Sequence, residues 1–145
     1  MPQPMVTDLD VIEVQKSDTL RFAAKSAAET LLRALGGTHI YVRVPLAFVN
    51  AGDAAQLGQS GAASVDVLLA PVVVLNKAND AARKELLISA GALLRAREIR
   101  DAKAARDFFE SAIAVVLGTQ LLRVVSLEHE EIGGEAFLYR VICAA

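Results

Sequence analysis

Few residues in this chain have types and spacing that could carry chemistry. His129 stands among Glu128, Glu130 and Glu131, a donor set that could serve a divalent cation. Ligands must converge on an ion, however, and neighbours on one tight loop cannot all do so; the other histidine, His39, is not at ligand spacing. These acids read as a solvated loop. Gly58-Gln59-Ser60-Gly61 lacks the glycine spacing of a dinucleotide loop and the Lys-Ser/Thr of a phosphate loop, and it is not a nucleophile elbow. Ser60 reads as a loop serine. Asp107 and Glu110 share a helical face at i,i+3, which reads as a solvated face. Cys143 is the one cysteine; it excludes a disulfide framework and reads as a small core hydrophobe. No catalytic residue, metal or cofactor is expected.

The elements that carry these residues follow from local signals. The chain has 145 residues, enough for one domain with a sizeable core. Residues 1–16 read as a flexible arm in which Leu9 to Val14 could add as an edge strand, and 17–145 as a single domain. Ser17-Asp18 offers an N-cap for a helix running to about Leu35, stopped by Gly36-Gly37. Leu20, Ala24, Ala27, Leu31 and Leu35 form one stripe, expected to pack on a sheet; Arg21, Lys25, Glu29 and Arg33 form the opposite, solvated one. A strand over His39–Val44 ends at Pro45. Ala51 to Ser64 has small and polar residues without periodicity and reads as a long mobile loop. Val65 to Leu75 is β-rich, and Pro71 requires it to be bent, bulged or at an edge. Glu85 to Ile88 reads as a short strand. Ser89 and Asp101 then cap two helical stretches, the second carrying Phe108, Phe109 and Ile113 at its end.

The last third reads as a three-stranded antiparallel meander. Ile113–Leu117 and Leu121–Leu127 flank Gly118-Thr119, which suits a type II′ turn. Phe137–Cys143 returns after a longer connection, Glu128 to Glu135, whose Gly133-Gly134 frees the backbone. Counting outward from the centre of that connection sets Arg123 opposite Arg140, Val125 opposite Leu138 and Leu121 opposite Ile142. Side chains alternate with period two, so these six share one face. Leu122, Val124, Ser126, Phe137, Tyr139, Val141 and Cys143 form the uncharged core face. The six are the candidate interface: two facing arginines repel and call for an acid from another element or subunit, inside an apolar rim. The N-terminal helix with Glu29 is the alternative cover for this face. The fold class is α+β: a small, mostly antiparallel β-barrel or sandwich of about six strands, with an N-terminal amphipathic helix and an inserted helical segment.

Bulk properties narrow the function. A net charge of −2 gives no global attraction to nucleic acid or anionic membrane. The start, Met-Pro-Gln-Pro-Met, lacks the features of a signal peptide, and no apolar run is long enough to span a bilayer. Hydrophobic residues make up 54% of the chain and the mean hydropathy is +0.40, high for a small soluble monomer. Burial of apolar surface against other subunits accounts for this excess. Between Arg83 and Arg106 seven basic residues face three acids, whereas 128–135 holds four acids and no base. A basic lobe and an acidic tip suit head-to-tail self-association.

The helix ending in Leu35-Gly36-Gly37-Thr38, the strand, long loop and short strand with helices, the hairpin Gly118-Thr119-Gln120-Leu121 and the final Gly133-Gly134-Glu135-Ala136-Phe137-Leu138-Tyr139-Arg140 together resemble the small neck, or tail-completion, proteins of tailed bacteriophages and prophages. The resemblance covers most of residues 17–143 as element order. It implies a small β-barrel that assembles as a ring between portal and tail, without catalysis, in the cytoplasm during assembly and then in the virion. Its partners would be further copies of itself and phage portal or tail proteins. Pro71 and the inserted segment 89–111 depart from that pattern. A small-molecule-binding barrel and an enzyme with dispersed active-site residues stay open as alternatives.

Overall fold

The computed structural model describes residues 8–46, 63–77 and 80–145. Six antiparallel strands close into a barrel in the order β1-β2-β3-β6-β5-β4. They are β1 (Thr38–Pro45), β2 (Ser64–Lys77), β3 (Asp80–Ser89), β4 (Ala114–Leu117), β5 (Gln120–Ile132) and β6 (Glu135–Ala144). Closure comes from β1 against the short β4, where Tyr41 pairs with Val116 and Val42 with Val115. The described helices are α1 (Asp8–Ala34), α2 (Ala90–Arg97) and α3 (Ala102–Ser111). The expected α+β barrel with an N-terminal helix and an inserted helical segment is therefore the fold.

Period-two alternation fills the interior. Ile40, Val42 and Val44 of β1, Leu86 and Ile88 of β3, and Val141 and Cys143 of β6 are fully buried. Because neighbouring strands are antiparallel, the end of β3 and the start of β4 lie at the same mouth of the barrel. Helices α2 and α3 join those two points and send Leu93, Ala105, Phe108 and Phe109 into the same core. The Phe108 and Phe109 rings meet edge to face at 5.1 Å. Both helix starts match the sequence signals: Ser89 accepts a hydrogen bond from the Ala92 amide at 3.2 Å, and Asp101 accepts one from Ala104 at 2.7 Å. Each cap satisfies an amide that the first helical turn leaves unpaired.

Pro71 sits at an irregularity in the β1–β2 register, where β2 leaves β1 and takes β3 as its partner. A residue without an N–H fits there, as expected of a bulge. Strand β3 is longer than the expected Glu85–Ile88. Ile113 follows α3 and is 55% exposed; its amide bonds to the Arg43 carbonyl at 2.7 Å, extending the β1–β4 ladder.

Three expectations are corrected. First, α1 begins at Asp8, so Ser17-Asp18 is not its cap and Leu9–Val14 is helical rather than an edge strand. Of the expected arm, residues 8–16 are helix and 1–7 lie outside the described residues. The expected loop 51–64 also falls outside them as far as residue 62, and Ser64 already opens β2.

Second, α1 is turned about its axis relative to the expected packing. Ala28 and Leu32 are buried, while Leu20, Leu31 and Leu35 are more than half exposed. The stripe expected to be solvated meets the body instead: Lys25 pairs with Glu135 at 2.9 Å and Glu29 pairs with Arg95 of α2. Ion pairs to fixed partners on the barrel rim and α2, together with Leu32, set the rotation.

Third, the connection between β5 and β6 is a two-residue turn, not a long loop. Gly133 (φ 58°) and Gly134 (φ 79°) both take positive φ, the requirement of a type I′ turn, which only glycine meets without steric cost. Glu128 to Ile132 are therefore strand residues. The β4–β5 turn is as expected, with Gly118 at φ 60°.

Candidate assembly interface

The corrected turn changes the register of the meander. Arg123 faces Ala144, Ser126 faces Ile142, Glu128 faces Arg140 and Glu130 faces Leu138. None of the expected pairs, Arg123 with Arg140, Val125 with Leu138 or Leu121 with Ile142, forms. A β-bulge between Val124 and Ser126 adds one residue to β5. It flips the parity of the strand, because two residues there oppose one on the partner. Before the bulge Leu122 and Val124 turn inward; after it Leu127 does, and Ser126, expected in the core, is exposed. On β6 the expected facing holds for Tyr139, Val141 and Cys143, which are buried, but not for Phe137: a register shift there leaves it half-buried and packs Ala136 on the core instead.

The six expected interface residues consequently separate. Leu121, Arg123 and Val125 remain exposed on β5, whereas Leu138 and Arg140 are half-buried on β6 and Ile142 is buried. Arg140 needs no acid from outside. Glu128 reaches it at 3.9 Å and Glu85 of β3 contacts its Nε.

The outer wall of β2, β1, β4 and β5 carries an apolar row that sequence reading missed. Leu68 pairs with Tyr41, Tyr41 with Val116, and Val116 with Leu121. At about 4.8 Å between strands these four side chains cross roughly 14 Å of sheet. Leu68 is 50% exposed, Tyr41 37% and Leu121 58%. On one side of Tyr41, His39 meets its ring edge to face at 5.6 Å. On the other, Arg43 holds Asp66 through two hydrogen bonds of 2.9 and 3.2 Å, and that hydrogen bonding keeps the Asp66 carboxyl below the usual carboxylate range. Leu68 lay hidden in the sequence because Val65–Leu75 is apolar at nearly every position, which reads as a strand buried on both faces. Only the alternation of Tyr41 and Arg43 with Ile40, Val42 and Val44 signalled an outward face.

Beside the bulge, β5 and α3 enclose a cleft of about 320 Å³ lined by Arg106, Glu110, Arg123, Val125 and Leu127 among others. Arg106 and Arg123 are exposed, and neither is paired with a carboxylate among the described residues.

The residues weighed for chemistry lie apart from this wall. His129 pairs with Glu131 and its ring lies 6.1 Å from that of Tyr139. Asp107 and Glu110 are exposed on α3. Cys143 is fully buried, and burial pushes its thiol up to about 12. Among the described residues no three His, Cys, Asp or Glu side chains gather where they could hold a metal ion, and no helix is long and apolar enough to cross a membrane. Ser60 lies outside the described residues. No protein-family model matches the chain, and no curated protein or solved structure matches it.

Proposed function

We propose that this chain is a non-catalytic assembly protein, a barrel module that self-associates and docks on a larger ring-shaped partner, of the kind that joins head to tail in tailed bacteriophages. The observation that carries the reading is the outward row Leu68–Tyr41–Val116–Leu121. A barrel already satisfies its backbone by closure and fills its interior with its own side chains. Within one subunit, an aromatic and three aliphatic side chains aligned on its outer wall gain only modest cross-strand packing and leave apolar surface in water. Such a row, bordered by the Arg43–Asp66 pair, has the apolar centre and polar rim of a protein interface. The exposed Leu20, Leu31 and Leu35 of α1 add a second apolar surface, in keeping with a chain whose hydropathy is high for its size. The interior weighs against a small-molecule barrel: Phe108, Phe109, Leu93 and Ile40 occupy it at 0–1% exposure.

Sedimentation velocity over a concentration series tests this reading. A defined oligomer, or a complex with portal or tail proteins encoded beside this chain, is the expected result. A strict monomer at millimolar concentration that binds no such partner would overturn it.

A further inference from the structure

We propose that the cleft of Arg106 and Arg123 receives the acidic edge of the β5–β6 hairpin of a second copy, with Glu130 as the residue that enters it. This rests on the self-assembly reading above and names the contact. Three of the four acids near the hairpin tip have a cation or histidine within the chain. Glu128 pairs with Arg140, Glu131 with His129, and Glu135 with Lys25 and Arg21. Glu130 is exposed and has no such partner among the described residues. The two arginines of the cleft are likewise unpaired, and Glu110 on the same wall leaves the cleft with a net single positive charge. That balance suits one carboxylate better than a phosphate group.

The apolar neighbours also match. Glu130 stands opposite Leu138 on β6, so the hairpin offers a carboxylate beside a leucine. The cleft offers its guanidinium groups beside Val125, which is 38% exposed, and Leu127. Burying Val125 and Leu138 together would place the charge pair in a drier setting, where it discriminates more strongly. The hairpin cannot serve its own cleft. Seven residues of the same strand separate Arg123 from Glu130, about 23 Å at roughly 3.3 Å per residue. The contact thus joins two different surfaces of the chain, so each copy both gives and receives it, reciprocally in a two-fold pair or head to tail from copy to copy.

The test is charge exchange in the full-length chain. Arg106→Glu/Arg123→Glu is one variant and Glu130→Arg the other; all three positions are exposed, and circular dichroism checks that each variant folds. Each alone should self-associate at least about tenfold more weakly than wild type, because like charges then meet at the contact. An equimolar mixture should restore assembly, since each variant's cleft then faces the other's hairpin with opposite charge. Wild-type association by either folded variant alone, or a mixture no better than its components, would overturn the proposal. Wild-type assembly that ignores these charges yet is lost on Leu121→Glu would leave the assembly reading standing and remove only this contact. A wild-type chain that stays monomeric would remove this contact, and would remove the assembly reading as well if the chain also binds no portal or tail protein.

Discussion

Glu128 stands directly opposite Arg140 on adjacent strands, their charged ends 3.9 Å apart, and Glu85 approaches the same guanidinium from the other side. The arrangement makes Arg140 a structural residue and separates it in role from Arg123, which faces Ala144. The Glu85 side chain is only 18% exposed, so removing its cation leaves a half-dry carboxylate. Arg140→Met should destabilise the fold by about 1–2 kcal/mol, whereas Arg123→Glu should stay within about 0.5 kcal/mol of wild type. Urea unfolding of the two variants measures the difference. Equal stability would mean that Arg140 is not held by these acids.

The turn that sets this register has its own test. Gly133 and Gly134 both need positive φ, and a β-branched residue there is strained by about 1–2 kcal/mol. Gly134→Val should lower stability by that amount, while Gly133→Asn, which tolerates the left-handed region, should stay close to wild type. Thermal unfolding distinguishes them. Equal tolerance of both would point to the longer connection that the acidic sequence suggested.

That contrast shows where the sequence was legible. Local chemistry was readable: the Ser89 and Asp101 caps, the Gly118 turn and the strand that ends at Pro45 all appear where the residues demand them. The β5–β6 register was not, because it is counted from the turn, and the acids at 128–131 read as part of a solvated connection rather than of a strand. The bulge after Val124, which leaves no mark in an apolar stretch, then turned Ser126 outward. The rotation of α1 was hidden for a different reason. Its ion partners Glu135 and Arg95 come from remote parts of the chain, and a stripe of leucines looks the same whether it faces its own barrel or a partner. The Arg106–Arg123 cleft needed α3 and β5 to be brought together, which spacing alone does not reveal.

The plug of the barrel mouth is the most sensitive part of the core. Phe109 is 1% exposed and packs on Phe108. Phe109→Ala should destabilise by about 3–5 kcal/mol, with loss of the cooperative transition in chemical denaturation. A loss below 1 kcal/mol would show that α3 does not close the barrel.

Alkaline pH should unfold the protein through its buried acids. Burial raises both Cys143 and Tyr139 to about 12, from 9.0 and 10.0 respectively. Above those unfolded values the unfolded chain loses protons that the native chain retains, so stability falls as pH rises. The decline should begin near pH 9, steepen above 10 and continue to about 12. Cys143→Ala should flatten its first part, as read from denaturant midpoints between pH 8 and 12. An identical slope in the variant would show that Cys143 does not contribute.

The assembly role stands most directly on the outer wall of the barrel. Leu68 and Leu121 end the four-strand row and are at least half exposed, so Leu68→Glu/Leu121→Glu should leave folding intact. Sedimentation velocity on that double variant beside wild type, at matched concentrations, is the decisive measurement. A folded monomer where wild type forms a defined oligomer is the result expected; an unchanged oligomer in the folded double variant would contradict the role assigned to the row.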